Sequence, residues 1–237
     1  MKNALVAAGG AALIIASYAA SSSATEGPTL DLTGIRNVKI TGEASWINIT
    51  TDSARPLIAQ LGAVRHRTLF HWTSGWFGND CTVASRMHVE DGTLFVDAVD
   101  SSWFGFSDCA PTIALNLEEG ASLSIQQHAA EVRINGQLSD ISFNGHAADI
   151  KFDGHARSVA LSADAMKATL TFDQPEKTES VELTSDALDA TVELGPGVPV
   201  DYRIDAKASM VDTQKVSTPG ALPRVRVTGK FVRFSLR

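Results

Sequence analysis

No cluster of lysine or arginine occurs anywhere in the 237 residues, and 20 basic side chains face 27 acidic ones for a net charge of −7. A chain so charged has no positive footprint for nucleic acid or for an anionic membrane surface, so both are poor partners and neither is expected. Beyond the first two dozen residues no apolar run reaches the roughly 18 to 20 residues that span a bilayer. Catalytic signatures are missing as well. There is no Gly-x-Ser-x-Gly elbow, His-Glu-x-x-His pair, Walker loop or dinucleotide fingerprint, nor the Gly-Gly-x-Gly-x-Asp turn of calcium-binding β-rolls. No cofactor is implied. Helical periodicity is almost absent, with one candidate at Pro56 to Val64, where an edge strand fits equally well.

What is present begins at the N-terminus. Lys2 precedes the small and apolar run Ala4 to Ala16, followed by Ser21, Ser22, Ser23 and Ala24. This is the layout of a secretory signal peptide, with cleavage expected after Ala24 at a small-x-small site. Residues 1–24 are therefore read as signal and 25–237 as a single exported domain, periplasmic or secreted, with no membrane insertion after cleavage. No cysteine lies near the cleavage point to accept a lipid. Loss of Lys2 leaves 19 basic against 27 acidic residues, a net charge of −8. The only two cysteines, Cys81 and Cys109, are expected to form a disulfide outside the cytoplasm. Closing that loop stabilises by about 3 to 4 kcal/mol in the chain-entropy picture.

The region 123–172 repeats every nine residues. Leu123-Ser-Ile125, Val132-Arg-Ile134, Ile141-Ser-Phe143, Ile150-Lys-Phe152, Val159-Ala-Leu161 and the weaker Ala168-Thr-Leu170 each read apolar, polar, apolar. That is the period of a half-buried strand, and Asn135-Gly136, Asn144-Gly145 and Asp153-Gly154 stand between copies as turn signals. Repetition at a fixed period marks a stack in which neighbours complete a core that no unit closes alone. Two all-β architectures fit: a parallel β-solenoid built of nine-residue sides, or an antiparallel meander or sandwich with type I′ hairpins at the Asn-Gly and Asp-Gly pairs. A coil encloses its own core whereas a meander leaves one face uncovered, which favours the solenoid. Short strands of the same style occur at Val38 to Ile40, Trp46 to Ile49, Thr93 to Val96, Thr112 to Leu115, Val181 to Leu183, Thr191 to Leu194 and Val225 to Val227.

The segments Val89-Glu-Asp-Gly-Thr-Leu-Phe-Val96, Pro111-Thr-Ile-Ala-Leu115 and Gly120-Ala-Ser-Leu-Ser-Ile125, with the repeats after them, resemble the bacterial "putative-adhesin", head-GIN-like family of exported domains. The resemblance extends over roughly Gly34 to Val216 and rests on strand patterns. It implies a single-stranded right-handed parallel β-helix, a cell-envelope location and no assigned catalytic residues.

Three features are candidates for function. The duplicated loop Trp76-Phe77-Gly-Asn-Asp80-Cys81 and Trp103-Phe104-Gly-Phe-Ser-Asp108-Cys109, within the region 72–110, would be drawn together by the disulfide. Aromatic faces beside carboxylates suit a sugar, the rings covering C–H patches while the acids accept hydroxyl hydrogen bonds. The plainer reading is a small aromatic core around a staple. His128, His146 and His155 share one phase of the repeat. With two units per coil His128 and His146 stack, and with three His128 and His155 do. Two imidazoles fall short of the three or four ligands zinc needs, so a polar corner is the plainer reading and no metal is expected. Third, two units per coil would place Ser124, Ser142 and Ala160 outward on one face and Arg133, Lys151 and Thr169 on the other. The first face is small enough to pack on a partner, and an ordinary solvated sheet is the alternative. The expected function is a non-catalytic, adhesin-like interaction protein of the envelope or medium, contacting a glycan or an envelope protein. A polysaccharide-active enzyme and a structural subunit of an envelope assembly are the alternatives.

Overall fold

The computed structural model describes residues 25–65, 84–99 and 109–237. The signal segment 1–24 and the loop residues Trp76, Phe77, Asp80, Cys81, Trp103, Phe104 and Asp108 lie outside them. The described chain is all-β: β1 (Thr25–Asp31), β2 (Asn37–Thr50), β3 (Ile58–Arg65), β4 (Arg86–Glu90), β5 (Thr93–Ala98), β6 (Cys109–Asn116), β7 (Ala121–Phe172), β8 (Ser180–Glu193), β9 (Asp201–Thr213) and β10 (Arg224–Leu236). One short 3-10 turn, Pro175–Lys177, separates β7 from β8.

The body is parallel. β2 and β8 run parallel to β7 on either side, β10 runs parallel to β8, and β9 runs parallel to β10. At the other end β5 and β6 both lie parallel to β2, and there the sheet changes character. β4 pairs antiparallel with β5, β3 with β6, and β1 with β3, so the sheet is mixed. The candidate segment Pro56 to Val64 resolves into β3, a strand, because Ala59, Leu61 and Ala63 alternate inward with a period of two.

β7 is 52 residues long. Drawn straight it would measure about 170 Å, so a strand of that length in a small body must fold back along itself. Its contacts give the repeat. Ser122 and Ser139 hydroxyls meet at 2.7 Å, Ser142 Oγ donates to the Leu123 carbonyl at 3.3 Å, and Arg157 Nη2 donates to Asp140 at 2.8 Å, at separations of 17, 19 and 17 residues. The chain returns to the same place about every eighteen residues, two nine-residue units at a time.

The bend is written in the burial pattern. In β2 the inward positions are Val38 and Ile40, then Ser45, Ile47 and Ile49, so the alternation changes parity at Glu43 and Ala44. Two successive outward residues mark a corner, and pairing between β2 and β7 passes from Gly42↔Gln127 to Ala44↔Ala129 across it. Rows of inward residues then align through the body, as with Val38, Leu123, Ile141, Val159, Val181 and Val225, each no more than 3% exposed. The Asn-Gly and Asp-Gly pairs correct one expectation. They form no hairpins, because they lie inside β7 at its bends, where Gly136 and Gly154 have φ of 139° and 143°. The one two-residue Asp-Gly turn, Asp91-Gly92 between β4 and β5, has positive φ at both residues and joins antiparallel strands as a type I′ hairpin does.

Asn116 locks the loop that follows β2. Its Oδ1 accepts from Thr50 Oγ1 at 2.8 Å and from Asp52 N–H at 2.9 Å. Its Nδ2 donates to the carbonyls of Asp52, Arg55 and Pro56 at 2.9 to 3.2 Å. Asn116→Ala should cost about 2 to 4 kcal/mol, since several backbone groups lose a partner that the buried site cannot replace with water. Urea denaturation checks this, and a loss under about 0.5 kcal/mol would contradict it.

Candidate interaction surface

The corner residue of each row is charged or an imidazole. Local sequence explains the position: the segments Gly42-Glu-Ala-Ser45, Gln127-His-Ala-Ala130, Gly145-His-Ala-Ala148, Ala163-Asp-Ala-Met166 and Ser185-Asp-Ala-Leu188 share one plan. A residue that turns inward comes first, the charged or imidazole corner second and a small outward alanine third. Gly229-Lys-Phe-Val232 and Ala206-Lys-Ala-Ser209 repeat it with lysine at the corner.

Stacked, these corners form a ladder. Glu43 Oε2 lies 2.6 Å from His128 Nδ1, the His128 and His146 rings stand 5.2 Å apart, and His146 Nδ1 lies 2.7 Å from Asp164 Oδ2. Asp186 follows and pairs with Lys230 at 2.5 Å, with Lys207 in the last row. From β2 to β9 the ladder reads Glu, His, His, Asp, Asp, Lys, Lys. Its side chains are about half to two-thirds exposed. Pairs so solvated contribute at most about 1 kcal/mol each, so the ladder shapes the surface more than it stabilises the fold.

His155 does not join the other two. It falls at the opposite bend beside Gly154, is partly buried, and its Nδ1 has no hydrogen-bond partner. An eighteen-residue return brings His128 to His146 and leaves His155, half a turn away, on the other side. Among the described residues no group of three or more His, Cys, Asp or Glu is placed to hold a metal. Near that opposite bend Asp140 is part-buried; burial alone would raise its pKa, but hydrogen bonds from Arg157 and the Ser139 hydroxyl outweigh it and hold the carboxyl below its usual range.

Beside the ladder lies an outward column of alanines: Ala44, Ala129, Ala147, Ala165, Ala187 and Ala208, interrupted only by Phe231. A further column beyond it runs Trp46, Glu131, Asp149, Lys167, Asp189, Arg233 and Met210, with Arg233 3.6 Å from Asp189. Between the two charged columns the alanines floor a shallow apolar groove of about 930 Å³. Phe231 and Met210 are 68% and 67% exposed at one end of it, and Trp46 is 38% exposed toward the other. Of the residues expected outward, Arg133, Lys151 and Ala160 are exposed while Ser124, Ser142 and Thr169 are half-buried; Ala160 pairs with Glu182 and Thr169 with Thr191.

The described residues that flank the duplicated loops stand at this same corner, one row beyond Glu43. Ala98 at the end of β5 stands opposite Gly42 and Thr112 in β6 stands opposite Trp46, so these two strand ends lie on either side of the corner line. The connection from β3 to β4 begins at Arg65, which pairs with Cys109. Where both connections leave the described residues, Val99 N–H donates to Ser85 Oγ at 3.2 Å. Sequence reasoning singled out the Trp loops, whose residues lie outside the described ones, and the histidines, of which His128 and His146 come together; it missed Glu43, Asp164, Asp186, Lys230 and the alanine column. The signal available was the triplet of an inward residue, a charged or imidazole corner and an alanine, hidden because its spacing is regular only inside β7.

No family model matches the sequence, and no curated protein matches it. Solved structures do. A "putative cell adhesion protein" from Clostridium sporogenes is similar at a TM-score of 0.46 and 7% identity, covering 90% of this chain and 100% of that one. A "putative adhesin" from Bacteroides fragilis is similar at a TM-score of 0.38 and 16% identity, covering 91% of this chain and 97% of that one. Neither likeness identifies what this chain binds.

Proposed function

We propose that the chain is an exported, non-catalytic interaction protein: a β-solenoid with two nine-residue units per coil that displays the Trp76 and Trp103 loops at one end of its charged corner. The observation that carries this reading is the pairing of Arg65 with Cys109, which roots both loops at one point. Cys109 is not a free thiol, which supports a bond to Cys81, the other cysteine in the sequence. Held side by side, Trp76, Phe77, Trp103 and Phe104 with Asp80 and Asp108 make a contact surface for a glycan or an envelope protein.

The test uses the mature protein against immobilised cell-wall polysaccharides and an envelope extract. Retention without released reducing or unsaturated ends is expected, and the double variant Trp76→Ala, Trp103→Ala should weaken it at least about tenfold, the loss of one well-placed ring contact per loop. Tryptophan fluorescence inaccessible to a soluble quencher would sink the reading, since the rings would then be core. Release of new sugar ends would instead make the protein an enzyme.

A further inference from the structure

The alanine-floored groove is an apolar face between two charged walls, and the order of charge along those walls is self-complementary. We propose that this face docks on a second copy of the same chain, with the two stacks antiparallel and the two-fold axis lying along the strands between the row of His146 and the row of Asp164. That axis passes through the middle of the stack that runs from the β5 and β6 row to β9, so the whole length of both faces overlaps. Turning the second copy about it lays each corner on a corner in reverse order. His146 then meets Asp164, His128 meets Asp186, and Glu43 meets Lys230. In the outer column Asp149 meets Lys167, and Trp46 meets Arg233 ring to guanidinium, an arrangement in which an aromatic face attracts a cation. One like-charged pair results, Glu131 with Asp189, and each of these already has an arginine beside it in its own chain.

The shapes agree with the charges. Phe231 is the single bulky side chain in the alanine column, and the same rotation sets it over Ala44, where the column is flat. Its ring is 68% exposed in the single chain and would be covered. About eight rows at roughly 4.8 Å by about 20 Å of strand, the whole coil side that carries the groove, give a face near 770 Å² per copy, within the range of a specific interface. A face of unmixed charge order, all acid or all base on both walls, could not pair with itself in this way.

Sedimentation velocity of the mature protein across a concentration series tests the proposal. A dimer is expected at about 100 µM or below, an affinity ordinary for an interface of this size. Phe231→Ser, which alters only an exposed position, should raise its dissociation constant about a hundredfold, because two rings are lost per dimer at about tenfold each. Asp149→Lys should weaken it at least about tenfold, because the substituted ammonium would then face the ammonium of Lys167 across the interface. The double variant Asp149→Lys, Lys167→Asp should restore it to within about threefold, since both partners are exchanged. Far-ultraviolet circular dichroism confirms that each variant is folded. A protein that stays monomeric throughout the series overturns the proposal, as does a dimer indifferent to both single variants.

Discussion

Gly154→Ala is expected to destabilise the protein by about 2 to 5 kcal/mol, the sum of a strained backbone and an overpacked contact. Gly154 has φ of 143°, where a side chain on an L-residue crowds its own backbone. A Cβ built there would come closer than 3.0 Å to the carbonyl oxygen of Gly136, one turn of the chain below. That contact is backbone against backbone in the middle of β7, with no flexible side chain to move aside. Gly195 provides the comparison: its φ is 74°, but nothing lies within 4 Å of a Cβ there. Gly195→Ala should cost only about 1 kcal/mol, the conformational part alone. Equal losses for the two variants, measured by urea denaturation, would mean that the rows do not approach as closely as described.

Phe152→Ala should remove about 3 to 5 kcal/mol, the usual range for deleting a buried ring. Phe152 is 2% exposed and meets Phe172 edge to face, with ring centroids 5.3 Å apart. Its loss opens a cavity against residues held by two neighbouring rows, and parallel rows clamped by their ladders collapse poorly into a void. For a domain of this length the change corresponds to a fall of about 6 to 20 °C in melting temperature. Phe152→Leu should cost about a third as much, because most of the volume is kept. Should the alanine variant melt within about 2 °C of the parent, the ring would not be a member of the core.

The strands were legible in the sequence wherever side chains alternate, because alternation follows from the two-residue geometry of any extended chain that has one wet side. Leu123-Ser-Ile125 and its copies needed no tertiary information to be read as half-buried strands. The period of nine was legible for the same reason, each bend consuming a fixed number of residues. Pro56 to Val64 was ambiguous because Leu57, Ile58 and Leu61 satisfy a helical face as readily as a strand, and only its pairing with β1 and β6 decides for the strand. The Asn-Gly pairs misled because glycine at a tight turn and glycine at a close approach between rows look alike in sequence.

The site divides in the same way. That His128 and His146 share a phase could be read from spacing, but two or three units per coil were equally compatible with it. The choice is made by how many bends bring an inward row back over itself, a property of packing around the core rather than of any local residue. Glu43 and His128 are 85 positions apart and Asp186 and Lys230 are 44 apart, so no local pattern joins them. By itself the sequence determined an all-β chain with alternating burial, a nine-residue rhythm and an acidic balance, because those depend on each residue's own chemistry and its near neighbours. Only the tertiary structure decided the eighteen-residue return, the charged corner and the alanine groove beside it, because contacts between rows arise from chain closure over long separations.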